Sequence, residues 1–398
     1  MIIKEIRAKK IKNSRNQDTI EVIVKTDQGN AIASAPSGAS KSSKEVIDFP
    51  TGVDDAVNFV NTILNQEFKN YEINSFDEFK KIEDIIKKYD DTERLEKIGG
   101  NLIIAFEFAL LHAITKGSIW KFLNPQTKGL PRPLGNCIGG GEHVNDNFKN
   151  EFQEYLLFSL EAKSFSEAAK ANSEIYHKLR KKFKSRLTDE GALALDLSVE
   201  EILDILKKET DDYYEENKIR VKMGIDIAAN SFFDGKNYVY RDKKLTREGQ
   251  IKYIISLANK YDLAYIEDPL EENDFRGFAE ITRSVKKTCF VCGDDLTATN
   301  IELLKKAVKE NSITAMIVKP NQIGSIIKTK EVIDFAKKNK IYPVISHRSG
   351  ETMDSTISQL AVAFSIPAIK CGIYGKEREA KINELIKIEK ELKKKNDL

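Results

Sequence analysis

The first stretch of chain alternates. In "TIEVIVKTDQGNAIASA" (residues 19–35) apolar and polar side chains take turns, the period of a half-buried strand, and "DQGN" supplies the turn of a hairpin. A loop of small residues, "PSGAS", follows. From about Asp54 to Leu123 the period lengthens to that of a helix: "DDAVNFVNTILNQ", "DEFKKIEDIIKKY" and "GGNLIIAFEFALLHAITKG" each repeat apolar residues at helical spacing. Strands followed by helices predict a small α+β domain over residues 1–125, ending in the Pro/Gly-rich stretch "NPQTKGLPRP".

Beyond that stretch, over residues 126–398, short apolar runs alternate with amphipathic ones. "VKMGIDIAA", "LAYIEDPL", "CFVCGDDL", "ITAMIVKPNQIG", "IYPVISHRS" and "AIKCGI" read as strands. The intervening segments, such as "FRGFAEITRSVKK" and "IELLKKAVKEN", read as helices. Strands separated by helices pair in parallel. This number of units fits an α/β fold in which the strands close into a TIM-like β/α barrel. An open doubly wound sheet would carry a Gly-rich fingerprint after its first strand, and none is present.

Composition narrows the function. The formal net charge is only +2 in 398 residues, and lysines and acids mix along helix faces as in "KINELIKIEKELKKK". A nucleic-acid partner would demand a concentrated basic face. The most apolar run, "LIIAFEFALLHAI", is too short to span a bilayer and contains Glu107 and His112. The start "MIIKEIRAKK" lacks the apolar core of a leader. The expectation is a soluble cytoplasmic protein with no membrane partner. Cys137, Cys289, Cys292 and Cys371 are then free thiols. The "CFVC" pair sits on a predicted strand, where positions three apart face opposite ways, so the two are read as small buried hydrophobes.

The predicted strands end in chemistry. Asp226, Glu267, Asp294, Lys319, His347 and Lys370 each follow an apolar run, the last five at intervals of about 25 residues, one strand–helix unit. A single acid at a strand end is usually a helix cap. A series at this period returns to one end of a barrel, the end that carries active sites. Three carboxylates converging there would raise one another's pKa unless a cation intervened, and an all-oxygen set suits Mg²⁺ better than zinc. A lysine beside bound cations loses its proton more readily and can act as a base. Metal plus lysine suggests proton abstraction next to a carboxylate.

With these residues in place the chain resembles the enolase family. The resemblance runs nearly the full length, through "PSGAS", "GGGEH", "QEY", "TDEG", "GIDIAA", "YIEDPL", "GDDLTATN", "VKPNQIGS", "SHRSGETMD" and "IKCG". It implies a Mg²⁺-dependent lyase that dehydrates 2-phosphoglycerate to phosphoenolpyruvate. Lys319 would be the base and Glu190 the acid, with Glu154 beside it. Asp226, Glu267 and Asp294 would hold one Mg²⁺, and Ser40 a second one together with the phosphate. Arg348 and Ser349 would grip the phosphate, Lys370 would pair with the substrate carboxylate, and His143 and His347 would line the pocket, His347 among the catalytic groups. The partner would be a small phosphorylated hydroxy acid, and the family's habit implies a homodimer.

The chain also departs from the family. "NSRNQDT" replaces "DSRGNPT", "SGASKSSKE" replaces "SGASTG" and the histidine that follows it, Ala192 and Pro320 stand where glycine and valine are usual, and "KCGIY" replaces "KTGAP". These departures keep two alternatives open: an enolase-like enzyme for another carboxylate, and a non-catalytic protein of the same fold. The superfamily's racemase and lactonising branches use a Lys-x-Lys pair that "EYLLFSLEAKS" lacks.

Overall fold

The computed structural model describes residues 1–38, 42–144 and 150–396. Strands β1 (Ile3–Lys12), β2 (Asp18–Thr26) and β3 (Gly29–Ser34) form an antiparallel sheet in that order. The alternation seen in the sequence sets its faces: Ile20, Val22 and Val24 are fully buried, while Glu21, Ile23 and Lys25 between them are partly exposed. The helix Gly100–Thr115 is apolar all round and is buried along nearly its whole length. It packs on β2 and β3 and also against the barrel turn Pro320–Ile323. Its few polar groups are spent on joints. Asn101 donates to the carbonyl of Pro36 (3.0 Å), and Glu107 accepts from the backbone N–H of Ile326 (2.8 Å), at the start of the helix Ile326–Lys338.

The rest is a closed eight-stranded barrel. Around the ring run β4 (Arg132–Gly139), β5 (Glu154–Phe158), β7 (Lys222–Asp226), β10 (Tyr265–Glu267), β11 (Phe290–Gly293), β12 (Ala315–Val318), β13 (Tyr342–Ser346) and β14 (Ala368–Lys370). Pairing of β14 with β4 closes it. A two-residue β6 (Leu193–Ala194) extends β4 outside the ring, and β8 (Tyr238–Val239) with β9 (Lys244–Leu245) makes a small hairpin. The barrel interior is filled by inward residues of successive strands, among them Leu156, Tyr265, Ile317 and Val344. Cys289 and Cys292 are buried free thiols, Cys292 inside the barrel.

One strand departs from the parallel pairing expected: β5 runs antiparallel to both β4 and β7. Among the described residues, the connection from β4 to β5 carries only one short helical turn, Gly141–His143, and no crossover helix, so the chain returns directly. This reversal sets the site. It pairs Glu154 with Asp226, and Asp226 pairs in turn with Glu267, so three acids lie side by side on adjacent strands. Ile317→Ala, which empties part of the barrel interior, is expected to lower unfolding stability by about 2–5 kcal/mol, read from denaturant melts.

Candidate active site

Every described group that the sequence placed at a strand end reaches the same mouth of the barrel. The centre is Lys370, the last residue of β14. Its ammonium donates to Asp226 (2.7 Å) and Glu267 (2.9 Å) and lies 3.1 Å from Glu154. All four side chains are buried. Burial alone would strip Lys370 of its proton, but the three carboxylates hold its pKa well above the ordinary value. The converse strain falls on Glu267, whose pKa is pushed well up by burial and by Asp226, against the opposing pull of Lys370. Tyr265 donates to its second oxygen (2.7 Å). The sequence reading gave Lys370 to the substrate; here it is engaged by the protein's own acids.

Asp294 stands one strand further on. It accepts from the ammonium of Lys319 and, through its other oxygen, from Gln322 (3.0 Å). Burial would raise the carboxyl's pKa, but Lys319 holds it below the usual range. Lys319 is in turn paired with Asp294. Burial would lower its pKa, but Asp294 outweighs that and raises it. Pro320, which follows, opens a short helical turn, and the backbone N–H of Lys319 itself donates to Thr299 (2.9 Å).

The oxygen-rich donor set suits a hard divalent cation. Asp226, Glu267 and Asp294 nevertheless do not form one of the tight groups. Among the described residues, the ligand atoms that approach within 4.8 Å of one another belong to Asp268, Asp294 and Asp295, and to His143, Glu154 and Glu190. The Lys370 and Lys319 ammoniums are paired with the predicted trio. Like-charge crowding at Glu267 and at Asp268, whose pKa burial and Asp294 push up to about 8, is the kind that a bound cation relieves. Acidic groups able to hold a metal are therefore present. Ser40, the predicted ligand of a second ion, lies outside the described residues.

A second cluster handles protons. Glu190 accepts from Asn136 (3.0 Å) and lies 3.7 Å from His143 and 3.8 Å from His347. Burial would raise its pKa, but His143 and His347 hold it well below the carboxylate range, so Glu190 is ionised. Burial pushes Glu154 up to about 8 despite the nearby Lys370, so Glu154 keeps its proton at neutral pH. Asp189 accepts from Nδ1 of His143 (2.8 Å) and pairs with Arg15 (3.3 Å). Burial would lower the His143 pKa, but Glu190 and Asp189 carry it up to about 9. Burial drives His347 well below its ordinary value. Buried polar atoms without a hydrogen bond gather here: Nε2 of His143, Nδ1 of His347 and Oδ1 of Asn136. Unpaired buried groups are costly, and such a concentration marks a binding surface.

Arg348 is pinned. Nη1 donates to Glu45 (3.0 Å) and Asn321 (3.0 Å), and Nη2 to Glu45 (3.3 Å). Ser349 lines the same cavity, and its backbone carbonyl accepts from Arg378 (2.6 Å). Sequence reasoning had not singled out Glu45, Gln322, Asn321, Asp189 or Asn136. Glu45 closes "SGASKSSKE", and Asn321 and Gln322 lie in "VKPNQIGS"; both stretches were visible as motifs, but nothing in them told which side chains turn inward.

A closed β/α barrel with acids, lysines and histidines buried at one mouth defines an acid–base enzyme. Comparison with known proteins narrows the class. Residues 127–397 match the family model "Enolase, C-terminal TIM barrel domain", and residues 3–121 match "Enolase, N-terminal domain". The chain is 39% identical to the enolase of Methanosphaera stadtmanae over 407 residues, covering 98% of this chain and 97% of that protein. It is 40% identical to the enolase of Archaeoglobus fulgidus over 399 residues, with 98% and 97% covered. It is also 40% identical to the enolase of Sulfurisphaera tokodaii over 404 residues, with 97% and 95% covered. The chain belongs to the enolase family and is an enzyme, a carbon–oxygen lyase.

Two outcomes follow from this electrostatic layout. Lys370→Met leaves three buried acids without their cation. It is expected to cost about 3–5 kcal/mol at pH 7 in denaturant melts, with part of the loss recovered on acidification as the acids take up protons. Ionised His143, with a folded pKa of about 9 against 6.5 unfolded, contributes stability that is complete below pH 6.5 and lost as pH rises through 9. NMR titration of its ring should find a midpoint well above 6.5, and Asp189→Asn should move it down.

Proposed function

We propose that this enzyme dehydrates 2-phosphoglycerate to phosphoenolpyruvate, the glycolytic step and its gluconeogenic reverse. The observation that carries the reading is the full-length family match combined with Lys319, Glu190 and the acidic trio at one barrel mouth. Mg²⁺ bound by Asp226, Glu267 and Asp294 would supply positive charge for the enolate formed from the substrate carboxylate. Ser40 would serve a second ion.

The chain's own residues divide the remaining work. Lys319 takes the C2 proton as its free amine, so its proton and its bond to Asp294 must first be given up. The C3–O bond then breaks, and the hydroxyl leaves as water with a proton from the Glu190–Glu154 pair. Burial raises the pKa of Glu154 while the histidines lower that of Glu190, so the two acids work as a unit. Arg348 and Ser349 bind the phosphate, an anion that suits a planar guanidinium. Lys370, His143 and His347 complete the pocket around the substrate carboxylate and C3. The reading includes a cytoplasmic location, a homodimer, and a domain division after residue 125. The occupation of Arg348 by Glu45 favours one second reading, a related carboxylate substrate that makes less demand on a phosphate grip.

Mixing the protein with Mg²⁺ and 2-phosphoglycerate should produce the ultraviolet absorbance of a conjugated enol phosphate, and chelation should abolish it. Lys319→Ala should lower kcat at least about 10³-fold. Turnover that survives this substitution would remove Lys319 from the base role. A wild-type chain inert on this substrate but active on another hydroxy acid would favour the second reading.

A further inference from the structure

Two of the motifs quoted above, "GDDLTATN" and "VKPNQIGS", meet through a residue that the reaction has not yet used, Thr299. Between Asp294 and the helix Ile301–Glu310 the chain turns sharply. The backbone N–H groups of Thr297 (3.1 Å) and Ala298 (2.7 Å) both donate to the Asp294 carbonyl. Ala298 and Thr299 then take left-handed backbone angles, φ 43° and φ 52°. L-residues visit that region singly and seldom, and a β-branched one is poorly suited to it. Asn300 follows in extended backbone and caps the helix, its side chain accepting from the N–H groups of Glu302 (2.8 Å) and Leu303 (3.2 Å). Backbone in so unfavourable a region persists only where its surroundings over-determine it, and such positions concentrate at working sites.

The contacts of Thr299 show what holds it. Its side chain is fully buried; the hydroxyl accepts from the backbone N–H of Lys319 (2.9 Å) and donates to Oε1 of Gln322 (2.7 Å). Chemistry fixes these roles. A backbone N–H can only donate, so the hydroxyl oxygen accepts there and its one hydrogen is left for Gln322. Gln322 therefore presents its oxygen to Thr299 and its NH₂ to the other side, where Asp294 (3.0 Å) and Glu45 (3.3 Å) accept. A turned amide would set its oxygen against two carboxylates. Asp294 closes the circuit, because its other oxygen accepts from the Lys319 ammonium. One hydroxyl thus holds the proposed base at its backbone and, through a single amide, the acid paired with it. In a buried network of this kind a lost member leaves the others unsatisfied.

We propose that Thr299 is a positioning residue for the reaction: its left-handed backbone aims one hydroxyl at both Lys319 and Gln322, and that hydroxyl keeps the Lys319 amine and the Asp294 carboxylate in register with the substrate C2. Its effect on turnover rests on the dehydration reading above, while the circuit itself does not.

Kinetics with 2-phosphoglycerate, its C2-deuterated form and Mg²⁺ test the role. Thr299→Val, which keeps the shape and removes the hydroxyl, should lower kcat about tenfold or more with KM shifted by no more than about twofold. The C2-deuterium isotope effect on kcat should rise. Thr299→Ser, which restores the hydroxyl, should bring kcat back to within about threefold of the wild type. Gln322→Met breaks the circuit at its other end and should act alike, and the double variant should fall no more than about threefold below the slower single one. In hydrogen exchange by mass spectrometry, peptides over residues 315–322 should exchange about tenfold faster in Thr299→Val while the rest of the barrel keeps its rates. Unchanged exchange in that variant, faster exchange throughout the barrel, or a Thr299→Ser variant no better than Thr299→Val overturns the part given to the hydroxyl. Full kcat in Thr299→Val, an unchanged isotope effect, or losses that multiply in the double variant overturn its bearing on the base. Should Thr299→Val not fold, Gln322→Met decides by the same readouts. Should the wild type fail to dehydrate 2-phosphoglycerate, the exchange arm still decides the circuit, and the failure belongs to the substrate reading.

Discussion

The structure turns on one ammonium among three carboxylates. Strand register forces Glu154, Asp226 and Glu267 side by side on β5, β7 and β10, and neighbouring strands lie only ~4.8 Å apart. Two unit charges at about that distance repel by roughly 3 kcal/mol even at an effective dielectric of 20. The arrangement is tolerable because Lys370 reaches all three from β14. The residue that balances the charge thus sits on the strand whose pairing with β4 closes the ring.

Around this centre the protein separates protonation states that identical side chains would otherwise share. Glu190 and Glu154 lie in the same cavity, yet the pKa of one is held well below the carboxylate range and that of the other is raised. The difference is in their neighbours. Glu190 faces His143, His347 and an Asn136 donor, whereas Glu154 has lost its solvent and feels the negative charges of Glu190 and Asp226. Divergent pKa values in a carboxylate pair are how one site stores a proton and a place to put it. Asp189 takes part at one remove: by accepting from Nδ1 of His143 it fixes which ring nitrogen is turned toward Glu190.

Much of this was legible in the sequence, and the boundary of legibility has a physical cause. A polar residue at the end of an apolar run announces itself, so Asp226, Glu267, Asp294, Lys319, His347 and Lys370 could be assigned to one barrel end, the last five by their spacing as well. Partners could not. Lys370 sits at the centre of its own acids because of three-dimensional reach across the ring, which no linear period encodes. Lys319 is paired with Asp294, 25 residues away in sequence and in direct hydrogen-bond contact in space, which raises its pKa. The antiparallel β5 escaped because the absence of a crossover helix is a weaker signal than its presence. Glu45 escaped because an acid in a polar loop looks solvated until the fold buries it against Arg348.

The small N-terminal sheet and its helices are therefore a working part of the site and not merely a cover. At two of the places where they meet the barrel mouth, the contact is made of polar bonds that lose their partners if the two regions separate. At one, Ser14 donates to the carbonyl of Ser349 (3.1 Å) and accepts from Arg378, while Arg15 steadies the Asp189 that holds His143. At the other, Glu45 grips Arg348 and also takes a hydrogen bond from Gln322 (3.3 Å), the residue that donates to Asp294. The proton-handling cluster and the candidate phosphate grip are each buttressed by a different N-terminal segment. A buried polar joint of this kind tolerates little slippage, since displacing one member strands the others without water. Arg15 and Glu45 thus bear on the chemistry through Asp189 and Arg348 without lying at the reacting atoms themselves.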